Sequence, residues 1–446
     1  IDSPYFSYLE FDPEFIFCQG SLELMFCYQQ IIEDIIGLDL AYLPYPDISL
    51  AVISIIDMLK NKSPNKKLIL IDKECPSLVK SIILSQSILL NLQIKEINFE
   101  DENYLEEKLN PEMILFAMAF DLNRYGRIRR YSSFFEKCQN LEVTRVLFTD
   151  PLYFLLNKDK SADNADIIFG NGQRIAVPLG RYYSCPVFLC MKSCFQSYNS
   201  DLRVVYNDLE EKYKFVGKDI KDQKQVFKAV FLTTLYTIHK GIAELWKQGC
   251  EARKSAIYFY RLMETNHVKL INKENEFYDT VTIHIENSIL VSKELSRKGI
   301  SCFCPSVNLI SFSFSNFKDF ESSAKLILNV LEIKTKYNSK ELKIDMPEFK
   351  NEIYDSKLID STSEFEIVKI VKCAEDKDRD RRELYGKSNN FWDANLHYAV
   401  NPNLFTHPLT VPLFSIPCLN VSRVISEFIF HTFGFEMISF NCFSGR

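Results

Sequence analysis

Apolar positions between residues 20 and 200 recur in two rhythms. Stretches at 22–36, 49–60, 76–90, 132–138 and 151–156 place Ile, Leu, Val and Phe at three- and four-residue intervals, the spacing that gathers them on one face of a helix. Between them, short unbroken runs at 67–71, 94–99, 113–118, 143–148 and 167–169 read as strands buried on both faces. The alternation predicts an α/β unit with a parallel sheet covered by helices and a cleft at the strand ends. A long helix-periodic stretch at 227–264 follows. Strand patterns at 279–285, 301–304 and 309–314 and a helix pattern at 320–331 then predict a smaller, antiparallel α+β unit. From 334 the chain turns charged, ending in the mixed-sign run 375–383, which reads as a solvated connector.

The last segment repeats an early one in outline. Residues 28–41 and 421–438 each form an amphipathic helix pattern stopped by a glycine, Gly37 or Gly434, placed to take the left-handed cap before a strand. The resulting division is an arm at 1–20, a large α/β domain at 21–245, a small α+β domain at 246–333, a connector at 334–400 and, at 401–446, the truncated beginning of a second, homologous half. The first residue is Ile1, and the chain stops just after the apolar run 435–440, so both ends are expected to be truncated.

Composition narrows the partners. The 53 basic and 59 acidic side chains leave a formal charge of −6, without the positive excess that nucleic acid or an anionic membrane attracts. No window approaches the ~18 consecutive apolar residues of a spanning helix, and no leader pattern opens the chain, so a soluble intracellular protein is expected. Thirteen cysteines, an odd number scattered without paired spacing, read as reduced buried thiols rather than a disulfide framework. Cys185, Cys190 and Cys194 lack a histidine or acid at ligand spacing, Cys302 and Cys304 alternate along a strand pattern, and the six histidines form no paired motif, so no metal site is expected.

Three places could carry chemistry. The run Val143-Thr144-Arg145-Val146-Leu147-Phe148-Thr149-Asp150 delivers a carboxylate to the C-terminal end of a strand, where a cleft would lie; Asp150 is equally placed to cap a helix beginning at Pro151. A loop at 171–180 follows, Asn171-Gly172-Gln173-Arg174-Ile175-Ala176-Val177-Pro178-Leu179-Gly180. A third turn, Pro44-Tyr45-Pro46-Asp47-Ile48-Ser49, comes after the strand pattern 38–43. Pyridoxal-phosphate chemistry in an α/β cleft needs a carboxylate for the ring nitrogen, a lysine for the imine and a donor-rich turn for the phosphate. Asp150 supplies the first. Gln173 cannot form an imine, and a turn with two prolines and an acid offers a phosphate little. Thirteen glycines, about 3% of the chain against the usual ~7%, agree with that scarcity. No common nucleotide or hydrolase motif occurs, and Lys192 and Lys240 read as solvated.

Together these segments resemble the glycine-cleavage P-protein family, glycine decarboxylases built of two homologous fold-type-I halves. Its entry segment TPYQPEISQGRLE is similar to Phe11-Asp12-Pro13-Glu14-Phe15-Ile16-Phe17-Cys18-Gln19-Gly20-Ser21-Leu22-Glu23, with an insertion and with Ser21 for the arginine. Its GLDIANASLLDE resembles Gly37-Leu38-Asp39-Leu40-Ala41 and on to Asp47, and ADPLALTLL resembles Asp150-Pro151-Leu152. ADIVVGSSQRFGVPLG resembles Ala165-Asp166-Ile167-Ile168-Phe169-Gly170 and then Gln173-Arg174-Ile175-Ala176-Val177-Pro178-Leu179-Gly180, the most specific match. Thr362-Ser363-Glu364-Phe365-Glu366-Ile367-Val368 is similar to the opening of the family's second half, as is Gly434-Phe435-Glu436 to its TGFD. Departures are a shortened 218–225 segment, Arg181-Tyr182-Tyr183-Ser184-Cys185-Pro186 in place of GYGGPH, and no GSCTMKLN around Gly386-Lys387-Ser388.

The resemblance implies an aspartate aminotransferase-like, fold-type-I pyridoxal-phosphate transferase fold. It implies that this is the N-terminal half, whose loop carries Gln173 where the other half has the cofactor lysine. The parent reaction would be decarboxylation of glycine on pyridoxal phosphate with aminomethyl transfer to the lipoyl H-protein. This chain would be the scaffold of the lysine-bearing half, in a homo- or heterodimer, with the cofactor held only there and none bound covalently here. Asp150, Gln173, Pro178 and Gly180 would line a vestigial pocket, and Pro13, Glu14, Gln19 and Gly20 the rim of the interface between halves. The compartment would be the mitochondrial matrix in a eukaryote or the cytoplasm in a bacterium. The alternative is a degenerate paralogue retained as a structural or interaction subunit.

Overall fold

The structure is a computed structural model. It describes residues 19–100, 110–157, 165–175, 186–199, 201–217, 226–274, 276–315 and 320–333, and within 362–374 residues 362, 363, 366, 367, 369–371, 373 and 374. The expected second half at 401–446, Gly434, most of the connector, the segment 218–225, and Cys18 and Cys185 lie outside the described residues.

A seven-stranded sheet has the order β1-β7-β6-β5-β4-β2-β3. Its strands are β1 (Leu40–Ala41), β2 (Leu68–Asp72), β3 (Gln93–Ile97), β4 (Ile114–Phe120), β5 (Thr144–Phe148), β6 (Ile167–Asn171) and β7 (Val187–Met191). Strands β2 to β6 are parallel, whereas β7 runs antiparallel to both β6 and β1. The sheet is therefore mixed, a correction to the all-parallel expectation. Strand β7 follows β6 by a return across its own neighbour, with Asn171 opposite Val187 and Ile167 opposite Met191.

Period-two alternation explains the three layers. Ala117, Ala119, Leu147, Ile168 and Phe188 face one core with helices α1 (Gln19–Ile36), α4 (Ser132–Asn140) and α5 (Pro151–Leu156). Phe116, Met118, Val146, Phe169 and Leu189 face the other, with α2 (Ile48–Lys62) and α3 (Ser77–Leu90). Helix α1 buries Ser21, Leu24, Met25, Tyr28, Ile31, Ile32 and Ile35 along one face. It ends as the sequence predicts, at Gly37 with φ 78° and its N–H donating to the Glu33 carbonyl at 2.6 Å.

Helix α6 (Phe227–Thr265) belongs to two cores. Its first part, through Ala252, packs under the large sheet. Residues Ala256 to Met263 pack on a three-stranded antiparallel sheet of β10 (Thr280–His284), β11 (Phe303–Ser306) and β12 (Leu309–Ser313), with α7 (Ser288–Arg297) and α8 (Phe320–Val330). The hydrophobic pattern had not singled out α7, β7, or the hairpin of β8 (Arg203–Asn207) and β9 (Lys212–Val216). None of the nine described cysteines is in a disulfide: Cys190 is buried in β7, but Cys194 is exposed on the turn after it, which corrects its reading as a buried thiol. Among the described residues no helix is long and apolar enough to cross a membrane, and no group of three His, Cys, Asp or Glu is arranged to hold a metal ion.

Candidate functional site

The C-terminal edge of the parallel strands carries three aspartates, Asp72 at the end of β2, Asp121 just past β4 and Asp150 just past β5. Such an edge is where an α/β sheet offers ligands converging groups. Each carboxylate has a resident partner. Asp72 accepts from Arg129 Nη2 at 3.1 and 3.3 Å, and Arg129 also reaches Glu74, Glu100 and Asn98. Asp121 accepts from the Tyr131 hydroxyl at 2.6 Å. Burial pushes Asp121 up to about 6, against the hydrogen bonds of Thr149 and Tyr131 and helped by the nearby charge of Asp150.

Asp150 has two duties at once. Its Oδ1 accepts from the backbone N–H groups of Leu152 and Tyr153 at 3.0 and 3.1 Å, capping α5 directly ahead of Pro151. Its Oδ2 lies 3.3 Å from Arg174 Nε. Arg174 sits on a one-turn 3-10 segment, Gly172–Ile175, immediately after β6, and its Nη2 donates to Asp279 Oδ2. Asp279 leads into β10, so this guanidinium ties the large sheet's edge to the smaller sheet. The aromatic ring of Tyr278 lies 5.7 Å from the guanidinium carbon and meets Tyr153 edge-on at 5.3 Å.

Gln173, on the same turn, is exposed, and its backbone N–H donates to Asn171 Oδ1 at 2.9 Å. Pro178 and Gly180 lie outside the described residues, as do Pro13 and Glu14. Gln19 exchanges two hydrogen bonds with the backbone of Tyr213 in β9, at 2.8 and 3.0 Å. Gly20 is pressed against the Ala374 carbonyl: a Cβ there would lie 2.0 Å from that oxygen. At the third expected place, Asp47 caps α2 by accepting from Leu50 N–H at 3.0 Å, so a carboxylate already answers the positive end of that helix. Lys192, a third of its side chain exposed, is ion-paired with Asp166 at 2.9 Å. Lys240 lies 6.0 Å from the Tyr236 ring centroid.

Sequence reasoning missed Arg174, Asp279, Tyr278 and Asp121. Arg174 alone had a local signal, since it adjoins the lysine-loop position; Asp279 is 105 residues away and comes to it only through the fold.

Comparison with known proteins agrees with this placement. Residues 3–196 match the family model described as glycine cleavage system P-protein. Over that stretch, less than half of its length, the chain is similar to that family. Curated relatives include the glycine dehydrogenase (decarboxylating) of Cereibacter sphaeroides (strain KD131 / KCTC 12085), 26% identical over 200 residues, covering 45% of this chain and 19% of that protein. That of Shewanella frigidimarina is 29% identical over 179 residues, 40% of this chain and 18% of the relative. The chain thus spans less than a fifth of the length of these P-proteins. Among solved structures, the inhibitor-bound glycine decarboxylase (P-protein) of the glycine cleavage system superposes with a TM-score of 0.60 at 17% identity, over 70% of this chain and 76% of that one. Oryza sativa TDC with PLP and tryptamine gives 0.51 at 9% identity, over 70% and 76%. The fold is that of fold-type-I pyridoxal-phosphate enzymes, α/β with a seven-stranded mixed sheet.

Proposed function

We propose that this chain is the non-catalytic half of a glycine decarboxylase with the start of the lysine-bearing half, and that it acts as that half's scaffold. The observation that carries this reading is the loop after β6, which presents Gln173 where an imine-forming lysine would be needed. The rest of the cleft supports it. Asp150 is committed to a helix cap and to Arg174, and Asp47 sets a negative charge at the helix end where a phosphate would need donors. These residues fit a pyridoxal phosphate poorly, so the cofactor is assigned to the other half and no chemical step to this one. Glycine would be the substrate and the lipoyl H-protein the acceptor of the whole assembly. The packing of Gly20 on Ala374 supports a rim role for the start of α1, because residues near 362–374 resemble the opening of the second half.

A degenerate paralogue serving as a structural subunit is the second reading, favoured by the replacement of GYGGPH by Arg181-Tyr182-Tyr183-Ser184-Cys185-Pro186. The test is borohydride trapping of the whole protein with pyridoxal phosphate, followed by peptide mapping. An adduct outside residues 1–446 is expected, and none on any lysine of this chain. An adduct within 1–446 overturns the scaffold assignment, and no adduct anywhere leaves the structural subunit.

A further inference from the structure

Two carboxylates from different sheets face one guanidinium in the cleft. Asp150 stands at the end of β5 and Asp279 at the start of β10, with side chains 22% and 5% exposed. Bringing two acids together at such burial is unfavourable unless a cation lies between them, because each disfavours the other's ionised form. Arg174, itself only 24% exposed, supplies that cation, with Nε directed to Asp150 and Nη2 to Asp279. It is held beside the buried ring of Tyr278, whose hydroxyl also interacts with the guanidinium. The acid pair and the Tyr278 side chain together hold the guanidinium.

We propose that Arg174 is a built-in counter-cation that fills the Asp150–Asp279 acid pair. It thereby closes the cleft to planar cationic ligands, a protonated pyridine included, and fastens the large sheet to the small one. The closure to a protonated pyridine rests on the reading of this half as one that holds no cofactor; the charge pairing does not.

The charge logic separates this from simple packing. Arg174→Met strands two acids and is expected to lower the folded-to-unfolded ratio at least tenfold. The triple variant Asp150→Asn, Arg174→Met, Asp279→Asn strands none, and Asn still caps α5. It is expected to recover most of that loss. In Arg174→Ala, millimolar methylguanidinium should raise the melting temperature while tetramethylammonium does not, and adding Asp279→Asn should abolish the rescue. A triple variant no more stable than Arg174→Met, or rescue indifferent to Asp279, overturns the proposal. If Arg174→Ala does not fold, the comparison of Arg174→Met with the triple variant, refolded from urea, decides alone: recovery of folding only in the triple variant sustains the proposal. The borohydride experiment reports on the scaffold reading independently, since an adduct within the chain would sink that reading and leave the charge comparison standing.

Discussion

Asp121 shows at a single residue how burial and chemistry pull apart. Its carboxyl is enclosed past the end of β4 and is pushed up from an ordinary 3.8 to about 6. Between those values the folded chain holds the proton that the unfolded chain has lost. The contribution of Asp121 to stability is therefore greatest below pH 3.8 and falls as pH rises through about 6, by about 3 kcal/mol in total and about 1 kcal/mol between pH 5 and 7.5. Asp121→Asn keeps the acceptor for Tyr131 and should remove this slope, as urea unfolding at the two pH values would show. Gly20 is set by space, not charge. A methyl there would drive backbone into backbone at Ala374, so Gly20→Ala should cost about 1–3 kcal/mol and expose the 362–374 segment to protease, read by limited proteolysis. A sequence marks Gly20 as a glycine but cannot show that a residue 354 positions later requires it.

Among the elements, α6 is the one whose form depends most on a distant strand of chain. It kinks at Gly241, where φ is 71° and ψ 160°, a region open almost only to glycine. The break frees carbonyls in the preceding turn, and the backbone N–H of Thr362 lies 3.2 Å from both Ile238 O and His239 O, while His239 Nδ1 meets Thr362 O at 3.0 Å. Gly241→Ala should therefore straighten or destabilise the helix by about 1–3 kcal/mol, measured as a lowered thermal midpoint. The stretch 227–264 was legible as a helix because it is long, apolar and helix-periodic, but that pattern carries no sign of a kink. Strand β7 was missed for a related reason. Its five residues are all buried, and a short apolar run without alternation does not declare its direction or partner. The caps were easier, because Asp150 and Gly37 act through atoms within a few residues of themselves.

At the scale of the whole molecule, the large sheet, the helices on its two faces and the smaller antiparallel sheet share one long helix and meet at Arg174. The partly buried Arg145–Asp166–Lys192 group shows how such a framework treats charge elsewhere. Burial would push Asp166 up, but hydrogen bonds from Arg145 and Lys192 outweigh it and hold the carboxyl below its ordinary value. The same principle, acids matched by resident cations, holds on the strand edge at Asp72 and Asp150, whereas Asp121 is met by a tyrosine hydroxyl.

By itself the sequence determined the α/β layering, the helix caps at Gly37 and Asp150, the absence of an imine-forming lysine at Gln173, and the resemblance to P-proteins. All of these rest on side chains and neighbours close in the chain. Only the tertiary structure decided the reversed strand β7, the kink stitched by Thr362, the press of Gly20 on Ala374 and the partner of Asp150. Each joins positions tens to hundreds of residues apart, and what joins them is burial and charge in three dimensions, which the order of residues does not record.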